Sequence, residues 1–141
     1  MENCRMKRLW IIIFAILIFS CKDNDEPNNM VICASGNMKI NIANDSTITG
    51  SWDIAAVNGF TEKDIGPQIG KGQLEGYIKY GEIQINMNPR IADYNIFLNG
   101  NYSNENIIGN WHLSLFRGQD DEVSGNFEIN NENKYTAYIN E

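Results

Sequence analysis

Ile107-Ile108-Gly109-Asn110-Trp111-His112-Leu113 puts Ile107, Gly109, Trp111 and Leu113 on one parity and Ile108, Asn110 and His112 on the other. Side chains alternate across an extended backbone, so a segment with one apolar row and one polar row reads as a half-buried β-strand. The pattern also occurs 59 residues earlier, in Ile48-Thr49-Gly50-Ser51-Trp52-Asp53-Ile54. Each copy is followed by a strand of the form apolar-x-Gly-x-apolar, Leu74-Glu75-Gly76-Tyr77-Ile78 and Val123-Ser124-Gly125-Asn126-Phe127. The chain therefore reads as two structural halves, each placing one tryptophan on an inner wall.

Outward from these copies the same period of two runs from Met38 to the end, and no window of a dozen residues supports an amphipathic helix. Strands are predicted over 38–43, 47–57, 73–80, 82–88, 93–102, 106–117, 122–130 and 134–140. Turn signals separate them, among them Asn44-Asp45, Asn58-Gly59, Tyr80-Gly81, Asn88-Pro89 and Asn130-Asn131. Connections this short force antiparallel neighbours. Only 60–72 is long; with Gly66, Pro67, Gly70 and Gly72 it reads as a mobile loop over one end of the fold.

Gly50, Gly76, Gly100, Gly109 and Gly125 all fall on the apolar parity, where glycine contributes no packing. Glycine inside a strand marks a sharp bend or a close backbone approach, and barrels use inward glycines to curve and close. The predicted fold is all-β, an antiparallel up-and-down β-barrel of about eight strands. A two-sheet β-sandwich is the alternative.

Composition narrows the class of partner. The 141 residues carry 18 acidic and 11 basic side chains, a net charge of −7, which disfavours nucleic acid because phosphate is bound through Lys and Arg. The length allows one domain, too small for a multi-domain enzyme. Arg5, Lys7 and Arg8 precede an apolar run from Leu9 to Phe19, too short to span a bilayer and ordered as a secretory signal peptide over 1–20. The run meets Ile18-Phe19-Ser20-Cys21, which resembles a bacterial lipoprotein lipobox. That resemblance implies cleavage before Cys21, a lipid on its sulfur, and the membrane as a partner. Lys22-Asp23-Asn24-Asp25-Glu26 is similar to the acidic signal that sends some Gram-negative lipoproteins to the outer face of the outer membrane. The expected location is thus the outer membrane, lipid-anchored and exposed at the cell surface, with the periplasmic face as the alternative. Residues 21–29 read as a disordered acidic tether and 30–141 as the barrel domain. Loss of residues 1–20 removes one acidic and three basic side chains, taking the net charge from −7 to −9.

Gly50-x-Trp52 at the start of the meander resembles the first signature of lipocalins and the wider calycin group, and Ala92-Asp93-Tyr94-Asn95-Ile96-Phe97 is similar to their second. The resemblance implies a small apolar ligand held in the lumen. Large side chains on the inward row, Trp52, Tyr80, Tyr94, Tyr102, Trp111 and Phe127, are the candidate lumen-lining residues.

Catalysis finds little footing. His112 is on the outward parity with no Ser/Asp partner in sight, and Asp120-Asp121-Glu122 lacks the ligand spacing of a calcium loop. Cys33 has no partner once Cys4 leaves with the signal and Cys21 is lipidated, so a buried free thiol is expected. No catalytic residue, metal ligand or cofactor site is assigned. The second function class is a surface interaction or inhibitor module with a filled core, using the long loop and the outward Tyr77, Phe97, Ile108, Phe116 and Tyr138. An open or filled interior, and the clustering or scattering of those aromatics, separates the two classes. The lipidation reading is checked with radiolabelled palmitate, which is expected to enter the wild type and to be absent from Cys21→Ala; equal labelling of both ends that reading.

Overall fold

A computed structural model describes residues 29–103, 106–115 and 123–140. The signal segment 1–20, Cys21 and all of the tether except Asn29 lie outside the described residues, as do Phe116 and the acidic stretch Asp120-Asp121-Glu122. Among the described residues eight strands are present: β1 (Met30–Ile42), β2 (Thr47–Ala56), β3 (Gly70–Lys79), β4 (Glu82–Asn86), β5 (Tyr94–Ser103), β6 (Asn106–Leu115), β7 (Ser124–Ile129) and β8 (Lys134–Asn140). Each pairs antiparallel with its neighbours in sequence, and β8 pairs with β1 to close the ring. The fold is the all-β up-and-down barrel, and closure rules out the sandwich. One rim carries the turns at 43–46, 80–81 and 130–133. The opposite rim carries the loops 57–69 and 87–93, together with the start of β1 and the end of β8.

The strand that differs most from its sequence reading is β1, which begins at Met30 rather than 38. Its register against β8 shifts between Ile32 and Ala34, and consecutive Cys33 and Ala34 are both buried. A bulge adds one residue and flips the parity, so a period-two reading loses the strand at that point. Elsewhere the dry parity packs as expected: Met38, Ile48, Leu74, Ile83, Ile85, Ile96, Leu98, Trp111 and Phe127 meet in one core.

Segment 60–72 is a stopper rather than a mobile loop. Thr61 starts a single helical turn, α1 (Glu62–Ile65), and its backbone N–H donates to Asp64 Oδ2 at 2.9 Å. After that turn Ile65, Gly66, Pro67 and Gln68 are all buried against the barrel mouth, and β3 begins already at Gly70.

The inward glycines mark where strand backbones come too close for a side chain. A Cβ on Gly50 would run into the carbonyl of Lys39, and one on Gly109 into that of Asn99. Relief would need the strands themselves to move. Gly109→Ala is therefore expected to cost ~1–3 kcal/mol of stability, read as a lower urea midpoint at unchanged m-value; an unchanged midpoint would contradict the close approach.

Candidate functional site

The six residues assigned to the lumen divide into two groups. Trp52, Trp111 and Phe127 are inside and packed. Trp52 Nε1 donates to the Met87 carbonyl at 2.8 Å and Trp111 Nε1 to the Tyr138 carbonyl at 3.1 Å, so both indoles are satisfied by backbone. The Phe127 ring stacks on Tyr135 with centroids 6.2 Å apart. Tyr80 and Tyr102 are corrections. Tyr80 is 94% exposed because the chain reverses at Tyr80-Gly81, with φ of 55° and 86°, before the inward parity can be used. Two successive positive φ values make the tight hairpin turn whose twist matches the strands it joins. Tyr102 keeps the inward parity but stands near the end of β5, paired with Ile107 at the rim opposite the long loop, and is 56% exposed. Tyr94 is half-buried at the long-loop rim, its hydroxyl 3.5 Å from the Glu62 carbonyl.

The two halves share one device. In each, the tryptophan lies over a glycine on the next strand: Trp52 is paired with Gly72 and Trp111 with Gly125. A Cβ on Gly72 would sit 2.6 Å from the Trp52 ring, and one on Gly125 2.7 Å from Trp111 Nε1. The sequence match aligned Gly76 with Gly125, but the spatial counterpart is Gly72, two inward positions earlier along β3.

Gln68 closes the long-loop rim. Its Nε2 donates to the Ile65 carbonyl at 2.7 Å, and its Oε1 accepts from the Tyr135 hydroxyl at 2.7 Å. Burial holds the Tyr135 phenol well above its ordinary range, with the adjacent Cys33 adding to the shift. Burial likewise pushes the Cys33 thiol up to about 11, against weaker opposing backbone hydrogen bonds. The thiol stays protonated at neutral pH and is a core side chain rather than a nucleophile.

On the outside, register arranges what parity alone could not. Tyr77, Gln84, Asn99, Asn110, Asn126 and Tyr138 are cross-strand partners in sequence, forming one lateral row over β3 to β8. Tyr77 donates its hydroxyl hydrogen bond to Gln84 Oε1, and Asn110 Nδ2 donates to Asn126 Oδ1 at 2.8 Å. Phe97 stands one row over, stacked on His112 at 5.5 Å, and Ile108 is one row the other way, between Asn101 and Glu128. The outward aromatics therefore bracket a band of neutral amides instead of merging into an apolar patch.

The second exterior feature is a cleft of about 390 Å³ at the β3/β4 seam, under the long-loop rim. Pairing of β3 with β2 extends to Gly70, whereas pairing with β4 begins only at Glu75. The gap is lined by Trp52, Pro67, Ile69, Met87, Pro89 and Ile91, with Lys71 and Arg90 at its mouth. Among the described residues no group of His, Cys, Asp and Glu is arranged to hold a metal. Neither protein-family models, nor curated proteins, nor solved structures give a match to this chain.

The buried phenol and thiol make stability depend on alkaline pH. Both groups hold their protons more tightly folded than unfolded, so stability is complete below their unfolded values, 9.0 for the thiol and 10.0 for the phenol, and falls as pH rises through them. Urea unfolding from pH 8 upward is expected to show that fall, and Tyr135→Phe to shrink it above pH 10. At neutral pH the same variant orphans Gln68 Oε1 and should cost ~1–3 kcal/mol.

Proposed function

We propose that this chain is a non-catalytic binding module of the cell envelope, held at the outer membrane by a lipid on Cys21 and exposed at the cell surface, which engages its partner through its exterior. The observation that carries this reading is the packed interior. Trp111 and Phe127 are at most 1% exposed, and Trp52 has its indole N–H bound to backbone. A ligand in the lumen would have to displace side chains that the core needs, because eight strands enclose a space just wide enough for their own side chains or one small molecule. The band from Tyr77 to Tyr138 offers a partner uncharged donors and acceptors between two phenols. Such a surface suits a neutral, hydrogen-bonding partner in a chain whose net charge is −7.

Met30 begins β1 at the long-loop rim, so a lipid on Cys21 would attach the barrel from the side of that rim. The test uses the full-length protein labelled with 5-fluorotryptophan, in which each tryptophan gives its own fluorine resonance. Fatty acids, sterols and haem are each expected to leave the Trp111 resonance where it is. A saturable shift of that resonance would return the function to the lumen.

A further inference from the structure

We infer that the cleft at the β3/β4 seam is a binding site for a small amphiphilic anion, an aliphatic carboxylate of medium chain length. The site is built rather than incidental. Asn88 ties its two walls together, Nδ2 donating to the Pro67 carbonyl at 3.0 Å while Oδ1 accepts from Ile96 N–H at 3.1 Å. The floor is fixed by Trp52 Nε1 on the Met87 carbonyl, and Met87 N–H is itself bound to the Ile96 carbonyl at 2.9 Å. A cleft held open by hydrogen bonds across its walls does not collapse when empty, so a ligand need not reorganise it.

The other half of the barrel provides an internal comparison. Trp111 lies over Gly125 just as Trp52 lies over Gly72, but β8 follows beside β7 and seals the indole, which is 0% exposed. In the first half β4 ends at Asn86 and the chain turns away through Pro89, leaving Trp52 as a cleft wall. The same device is thus sealed in one half and borders a cleft in the other, where Trp52 is 6% exposed.

The chemistry of the lining selects the ligand. The walls are Trp52, Ile69, Met87, Pro89 and Ile91, and among the described residues no carboxylate lines the cleft although the chain is acidic overall. Of the two cations at the mouth, Lys71 is paired with Asp53 at 2.9 Å, whereas Arg90 is exposed and has no carboxylate partner among the described residues. A guanidinium offers a carboxylate two parallel N–H donors. An apolar body against the Trp52 wall with its anionic head on Arg90 uses every feature of the site. The volume of about 390 Å³ lies near the lower end of small-molecule sites, in keeping with a short acyl chain.

The same fluorine-labelled protein tests this, titrated with octanoate, 1-octanol and octyltrimethylammonium. Octanoate is expected to shift the Trp52 resonance saturably, with a dissociation constant of ~1 mM, and to leave Trp111 unmoved. Octanol should bind roughly tenfold more weakly, and octyltrimethylammonium should not saturate. Arg90→Glu should abolish the preference for octanoate; its Trp111 resonance at the wild-type position shows that the variant is folded. A silent Trp52, an equal response to the cationic probe, or an Arg90→Glu variant that binds octanoate unchanged would each overturn the inference. If Trp52 and Trp111 are both silent, this inference falls and the exterior reading of function stands; if Trp111 moves, both fall.

Discussion

Eight strands closed into a ring leave an interior of fixed, small width, and every inward side chain competes for it. Two tryptophans take the largest shares, and their positions decide what else can be inward. Opposite each indole stands a glycine, Gly72 or Gly125, because a Cβ there would lie within 2.7 Å of the ring. Gly50 and Gly109 answer the same constraint from the backbone side, where neighbouring strands press against the place a side chain would occupy. Width, glycine placement and tryptophan placement are one condition seen from three directions.

That condition also decides where binding can happen. A core that spends its volume on Trp111, Phe127 and Tyr135 has little left for a guest, and the proposed recognition therefore falls to the exterior. The barrel then works as a rigid support that sets the register of its outer face. The amide band from Gln84 to Asn126 exists because three consecutive ladders bring those residues side by side. The seam cleft exists for the opposite reason, since one ladder stops short and the gap is lined by what the core did not cover.

Much of the fold was legible because strand parity is local. The alternation around Trp52 and Trp111, the inward glycines and the turn residues each pointed to the same barrel. Parity fails where a single residue changes the count. Cys33 sits in a bulge, and the first eight residues of β1 were missed with it. Tyr80 has the inward parity but occupies a turn with positive φ, and turn geometry overrides the row. Gln68 looked like part of a glycine- and proline-rich loop, yet its amide is spent on Tyr135 and Ile65, a contact between residues 67 apart that no local pattern reveals. The exterior features were illegible for the same reason. Which outward residues become neighbours depends on register, and register is a property of pairs of strands.

The chain enters and leaves the barrel at the same rim, where Met30 is paired with Asn140. Tension drawn through the N-terminal side of β1 therefore acts along that strand, while its hydrogen bonds to β2 over Ala34–Ile42 and to β8 over Met30–Asn37 lie across it. If the load is returned at the opposite rim, both ladders are sheared at once rather than peeled bond by bond. Mechanically, β1 is the strand best placed to carry a load from the chain before it into the rest of the barrel.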